Sequence, residues 1–473
     1  MIKIEVIDPN ILAALEQAYP KPTNSAKNKF IKYLRLLETM LDEEELREKD
    51  NYNFLTNRYT LSTSDLTKKS SQLGSEKMRI HKWLMDNHFG LIEIVETGTP
   101  LGLYPGYSKV KLTERITITH IDDRNDPKEA FDRLHPKFDE LSSQQIQSDY
   151  DVCEVDLVSL NNYINTLSPN GKVPRKLTKR IAYRQAIRIA AIAMYKNGLF
   201  YQKKNPSKFG RTYYSGLSVQ SVSKKTRAAM LGDCYEYDIV SGVVAWKLGY
   251  ARTHITNHKL SKTEQEAFPL LYAYVTDKTS LIKDICEAVF KSSPSNEIEK
   301  TPDEQYALIK RAMTAINFGA KLKLGYFDKL GNPMKHAMGK TFENEDEHTS
   351  FKNDVMVNKF IREKELLDET ILDREIRLNT SFIKKDFLTY KNKKIKPNVA
   401  MAYLYQHAET QVMDIFRSYA KTHHLTILAN IHDAIILKDP LPSELKREIL
   451  DAMRLQTNNS YWDLKEEMYH RCQ

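Results

Sequence analysis

Cysteine is scarce in this 473-residue chain: Cys153, Cys234, Cys286 and Cys472 stand far apart and none forms a C-x-x-C pair. That spacing supports neither a disulfide framework nor a structural zinc site, and a reducing cytoplasm is the expected setting. Glycine and proline number only 16 and 17, too few for long linkers or low-complexity tracts, and no internal repeat is visible. No run approaches the ~20 apolar residues of a membrane span, and Met1-Ile2-Lys3-Ile4-Glu5 lacks the apolar core of a signal peptide, so a soluble intracellular protein is expected. What is present is ordinary for a globular protein, 41% hydrophobic and 28% charged residues, in a length with room for several domains. A formal net charge of +9 favours polyanions if it is gathered on one face, and nucleic acid is the first candidate partner.

Two aspartates stand out. Ile431-His432-Asp433-Ala434-Ile435-Ile436-Leu437 sets an acid between two apolar runs, the pattern of a buried β-hairpin with Asp433 at its turn. An unpaired carboxylate there is costly to bury unless a cation compensates it, and a metal ion is the natural partner. Upstream, Tyr235-Glu236-Tyr237-Asp238-Ile239-Val240 is a β-prone stretch carrying a second acid near its end. Two strand-end aspartates sharing a metal pair are what nucleotidyl transfer by the two-metal mechanism requires. The competing reading for either acid is a helix cap or a turn residue.

The first part of the chain carries basic elements. From about 60 to 115, Ser62-Thr63-Ser64-Asp65 predicts a capped helix, Ser75 opens a second helix through Lys77, Arg79, Lys82, Trp83 and Leu84, and strands over 91–95 and 108–112 form a hairpin with a Gly/Pro-rich tip from Gly98 to Gly106. This order resembles a winged helix, with Lys77, Arg79 and Lys82 directed to a major groove and Lys109 and Lys111 to phosphates. A protein-docking module fits the same pattern. Polar residues 122–127 mark a boundary, and the cluster Asp151, Glu154 and Asp156 reads as a solvated turn rather than a proofreading exonuclease. A basic helix follows, from Lys172 through Arg175, Lys176 and Lys179, with Arg180, Arg184 and Arg188 at i, i+4 spacing on one stripe. Such a stripe either tracks a phosphate backbone or is a solvated face. The expected partition is an N-terminal region over 1–118, a linker with basic thumb-like helices over 119–205, and a catalytic region over 206–473.

Five segments, in order, resemble the family A (polymerase I-like) DNA polymerases and the related single-subunit phage RNA polymerases. Ser207-Lys208-Phe209-Gly210-Arg211, with trailing Ser215 and Gln220, is similar to the T-x-x-G-R element. The segment from Tyr235 to Trp246 resembles motif A, Ile309 to Gly319 resembles motif B, Tyr405-Gln406-His407-Ala408-Glu409-Thr410 resembles the helix ahead of motif C, and Ile431 to Pro440 resembles motif C. Short matches are cheap singly, but these five keep their order over about half the chain. The resemblance implies an α+β right-hand polymerase with palm, fingers and thumb, acting on DNA template and primer with nucleoside triphosphates. Asp238 and Asp433 would hold two Mg2+ ions about 3.5–4 Å apart, with Mn2+ able to substitute. Lys310 and Arg311, expected at a helix start, would meet phosphates and Phe318 would stack on the nucleotide. Arg211, Ser215, Gln220, Gln406 and His432 would hold template and primer, though for the amides a satisfied buried side chain is the competing reading.

The chain also departs from that pattern. Thr314 stands where the family has a lysine that protonates the leaving pyrophosphate, and a threonine hydroxyl is a poor acid, which leaves Lys310, Arg311, Lys321 or Lys323 to compensate. Leu322 replaces a tyrosine, Ala434 replaces the second carboxylate of motif C, and Val243 replaces the glutamate that excludes the ribose 2′-hydroxyl. DNA synthesis for a plasmid or virus is the first expectation. RNA synthesis, as a primase or a single-subunit transcriptase, and an inactive nucleic-acid-binding scaffold are the alternatives. Residues from about 340 to 395 are expected as mobile helical excursions within the fingers.

Overall fold

Period-2 burial in short strands and period-3.6 burial in longer helices divide this chain into mixed α and β structure. The computed structural model describes residues 1–20, 25–46, 58–74, 77–96, 108–174, 176–207, 211–256, 263–291, 300–327, 333–377 and 397–473. Ser75, the tip from Gly98 to Gly106, Arg175, Lys208 to Gly210, and the later part of the 340–395 segment lie outside the described residues. The chain forms two units, one of residues 1–205, 212–234 and 468–473 and the other of residues 206–211 and 235–467.

In the first unit, β1 (Ile2–Val6) is followed by the long helix α1 (Ser25–Leu46), β2 (Arg58–Leu61), α2 (Thr63–Lys69), α3 (Ile80–Asp86), β3 (Ile92–Glu96), β4 (Ser108–Leu112) and β5 (Ile116–His120). Ser62 caps α2 by accepting from the Asp65 N–H at 3.2 Å, as its sequence predicts. The hairpin strands also form, as β3 and β4, and β2 joins them in a three-stranded sheet. The second helix differs from its prediction. Lys77 has φ +55° and Met78–Arg79 is a short strand, so the helix begins only at Ile80. Arg79 turns back to donate to the Ser70 carbonyl at 2.7 Å, while Lys82 stays exposed on α3. Tyr33, Tyr59, Leu66, Ile80, Leu84 and Val110 are core residues of this half. Further on come β6 (Tyr150–Glu154), α4 (Leu157–Leu167), α5 (Leu177–Tyr195), β7 (Leu199–Pro206) and β8 (Thr212–Tyr214), the three strands making one sheet with β7 in the middle.

The basic stripe of α5 is not the exposed row its spacing predicts. Arg188 is only 4% exposed and donates from Nη2 to Asp42 at 2.7 Å, with Asp123 as a second carboxylate partner. Arg184 is ion-paired to Glu45 of α1, and Arg180 donates from Nε to the Pro174 carbonyl at 3.2 Å. Ile189, Ala190, Ala191, Ile192 and Ala193 bury the rest of the helix. Charge at i, i+4 spacing therefore ties α5 to α1, because a buried guanidinium is tolerated only beside carboxylates.

The second unit is built on β9 (Cys234–Ile239) and α6 (Gly242–Ala251), followed by α7 (Pro302–Asn317), α8 (Val355–Arg377), α9 (Pro397–Thr422), β10 (Ile427–Ile431), β11 (Ala434–Leu437), α10 (Ser443–Gln456) and β12 (Leu464–Tyr469). The sheet order is β10-β11-β9-β12, and β9 and β11 run antiparallel. Tyr237, Val244, Phe360, Phe416, Ile435 and Trp462 belong to one core. Thr301 and Glu304 form a capping box with Pro302 in the first turn of α7, so the helix starts well before Lys310. Lys310 and Arg311 are thus mid-helix rather than at its start. Nor is α8 an excursion: Val357, Phe360, Leu367 and Ile371 bury one face of it in the core.

Candidate active site

Strand pairing alone brings the two singled-out acids together. Asp238 lies opposite Ala434 in the β9–β11 register, so Asp433, the preceding residue, sits at the turn beside the end of β9. The Ile239 N–H donates to the Asp433 carbonyl at 3.1 Å and ties that turn to the strand. Ile431 pairs with Ala434, leaving His432 and Asp433 as a two-residue hairpin turn. His432 has φ +40°, and Ser241, three residues past Asp238, has φ +51°. Left-handed backbone at non-glycine residues is strained, and here it occurs within three residues of each acid.

The electrostatics of the pair follow from this placement. Asp238 is pushed up to about 7, first by burial and then by the Asp433 carboxylate and Glu236. Asp433 is also raised by burial, with the Arg211 guanidinium acting against it. Two half-buried acids with mutually repelling ionised forms leave negative charge that a cation would relieve. Among the described residues no group of three or more His, Cys, Asp or Glu side chains converges. Magnesium that keeps waters and takes substrate phosphates needs only one or two protein carboxylates, so this pair fits it.

Beside the pair is a second polar constellation. Arg211 Nε donates to Glu409 Oε1 at 2.7 Å and its Nη2 donates to the other carboxylate oxygen, a two-point grip. Glu409, on α9, is fully buried, and burial holds its carboxyl above the usual range despite Arg211. Tyr405, one turn earlier, shares a hydrogen bond with Glu409 and feels the Asp433 charge. Its hydroxyl comes so close to Gly242 that a Cβ there would collide with it, which explains a glycine at the first position of α6. Neither Glu409 nor Tyr405 is marked by the motifs for a role. The available signal was an ionisable residue in the middle of a helix that buries Val412, Met413 and Phe416.

On α7, Lys310, Arg311, Thr314 and Phe318 fall on one exposed stripe, opposite the buried Ile309, Ala312, Met313 and Ile316. Thr314 returns its hydroxyl to the Lys310 carbonyl at 2.8 Å. Phe318, at the C-cap, is 63% exposed and meets the Tyr405 ring edge-on at 6.4 Å. Val243 is buried in the first turn of α6 and Gln406 is half-buried on α9. The remaining sequence candidates belong to the first unit. There Gln220 donates from Nε2 to the Thr212 carbonyl at 3.0 Å, the Ser215 N–H donates to the Lys203 carbonyl, and Lys77, Arg79, Lys82, Lys109 and Lys111 belong to the helix-and-hairpin region.

The chain matches no family model and no curated protein. Its chemistry is therefore read from the acid pair and the groups around it.

Proposed function

We propose that the unit of residues 206–211 and 235–467 is the catalytic body of a template-directed nucleotidyltransferase, a right-hand polymerase with the β10-β11-β9-β12 sheet as palm and the helices between Asp238 and Asp433 as fingers. One observation carries this reading: two carboxylates remote in sequence come to the end of one antiparallel strand pair, with the Asp238 carboxyl raised by burial and then by the Asp433 charge. Asp238 and Asp433 would hold magnesium, which when bound supplies charge neutralisation at the phosphates and a more acidic attacking hydroxyl. Lys310 and Arg311 offer charge-assisted hydrogen bonds to triphosphate oxygens, and the exposed Phe318 ring offers a stacking face to a base or sugar. Arg211, fixed by Glu409, lends positive potential to the acids. Motif resemblance favours DNA synthesis for a plasmid or virus, with residues 60–115 as a winged-helix module that brings the enzyme to duplex DNA.

The test is extension of a labelled primer–template by the full chain with Mg2+ and either dNTPs or NTPs. Wild type extends the primer and Asp433→Asn does not. Equal product from the two proteins removes the catalytic assignment, and no extension with either sugar leaves the nucleic-acid-binding scaffold.

A further inference from the structure

Residues 206–211 belong to the second unit while the chain on both sides of them belongs to the first. Arg211 fastens that stretch to α9 through its grip on both oxygens of Glu409, with Nε at 2.7 Å. The Glu409 side chain is 0% exposed and that of Arg211 14%, so water screens neither charge well and each depends on the other. Tyr405 completes the holder. Its ring centroid lies 5.9 Å from the guanidinium carbon, it shares a hydrogen bond with Glu409, and its hydroxyl abuts Gly242, four residues after Asp238. Apolar side chains would fill the same space without the desolvation cost, as Val412, Met413 and Phe416 do further along α9, so packing does not account for the pair.

Its position beside the acids does. Glu409 and Tyr405 both feel the Asp433 charge, and Arg211 is the cation that acts on Asp433. A guanidinium shielded from water needs a carboxylate partner, and Glu409 and Asp433 both qualify. Were Arg211 to take Asp433, it would occupy the carboxylate oxygens in pairs and cancel their charge before any divalent ion arrived. A magnesium site held through only two carboxylates tolerates that loss poorly. Held by Glu409, the same guanidinium adds positive potential without occupying Asp433. We propose that Glu409 is a positioning residue for the metal site: by holding Arg211 it keeps the guanidinium from pairing with Asp433 and leaves that carboxylate open to a divalent cation. The proposal rests on the nucleotidyltransferase reading above, and it adds to that site a residue that touches neither ion nor substrate.

The experiment measures Mn2+ binding by the full chain, without nucleotide or nucleic acid, from the electron paramagnetic resonance signal of the free ion. Wild type binds the ion and Asp433→Asn loses it. Glu409→Gln, which keeps the size and gives up the charge, should bind about tenfold more weakly, the scale expected of a residue that orients a metal ligand from outside its coordination shell. Arg211→Met combined with Glu409→Leu has no guanidinium to compete, and its Mn2+ affinity should return to the wild-type value. A merely structural ion pair would lower stability without changing the affinity of the molecules that remain folded. Should Glu409→Gln fail to fold, Glu409→Asp takes its place: the charge stays, the side chain is one methylene too short for the same grip, and binding should again weaken. Wild-type affinity in the single variant, or weak binding that persists in the double one, overturns the proposal while the acid pair keeps its ion. Equal Mn2+ binding by wild type and Asp433→Asn, or none by either, instead removes the metal site and the polymerase reading with it.

Discussion

The two aspartates oppose each other, and the sign of that opposition is testable. Asp238 titrates near 3.8 unfolded and at about 7 folded, and burial raises Asp433 as well. Between those values the folded chain binds more protons than the unfolded chain, so stability falls as pH rises from about 4 to 7. Without divalent cation, the melting temperature of wild type relative to Asp238→Asn should fall from pH 5 to pH 8, whereas His81 and His135, held down at about 4 by burial, gain stability over that range in both proteins alike. Asp238→Asn should recover roughly 2–4 °C of melting temperature at pH 8 while abolishing extension, and Mg2+ should raise the wild-type value at pH 8 more than that of the variant. A wild-type-to-variant difference in melting temperature independent of pH and of Mg2+ in differential scanning fluorimetry would count against the shared charge.

Arg211 and Glu409 make the opposite kind of pair. Glu409→Ala leaves a largely buried guanidinium without its carboxylate, a loss of roughly 3–5 kcal/mol. Replacing both, as Arg211→Met with Glu409→Leu, should regain much of that in urea titration, because apolar side chains of similar volume avoid the desolvation cost. An additive double variant would show that the two side chains do not act on each other.

At the scale of elements, α7 shows how far local pattern reaches. Its capping box, its proline and the apolar spacing from Leu308 to Ile316 are all local signals, and they are enough for a helix with one basic, solvent-facing stripe. That stripe predicts kinetics rather than stability. Lys310→Ala and Arg311→Ala should each raise the nucleotide KM about tenfold, as expected for a lost charge-assisted phosphate contact, with stability within about 0.5 kcal/mol of wild type because both side chains are exposed. Unchanged KM in steady-state assays would remove α7 from the nucleotide site. The same local signals misled for α5 and α8. Three arginines at i, i+4 spacing look alike in sequence whether they face water or carboxylates, and Asp42 and Asp123 are too distant along the chain to be recognised as their partners. The charged run of α8 likewise hides its buried face, since Lys364 and Glu363 lie inside with Phe360 and Leu367.

For the molecule as a whole, the discontinuity of the two units matters most. Residues 212–234 and 468–473 return to the first unit, so a cut at Asn205 removes core from both pieces. Fragment 206–473 expressed alone should therefore fail to give a cooperative thermal transition by circular dichroism, whereas a sharp transition would show that the unit boundaries do not govern folding. In the first unit, Arg188→Ala should cost roughly 3–5 kcal/mol by stranding Asp42 and Asp123, with loss of fold rather than a selective loss of nucleic-acid affinity. Lys77→Ala, Lys82→Ala and Lys111→Ala should instead leave stability alone, weaken duplex binding in gel shifts, and each reduce the salt slope by about 1. Unchanged affinity would favour protein docking for this region.

By itself, the sequence determined what depends on neighbours a few residues away. It specified the β-prone run ending near Asp238, the hairpin turn at Asp433, the capped helices α2 and α7, and the hairpin strands of the N-terminal region. Only the tertiary structure decided which charges face one another. It paired Arg188 with Asp42 and Asp123, clasped Arg211 with Glu409, and buried Lys247 and Lys364 on one carboxylate. The physical reason is range: helix and strand periodicity is set within a few residues of chain, whereas the energy of a buried charge depends on the groups the whole fold brings within a few ångströms of it.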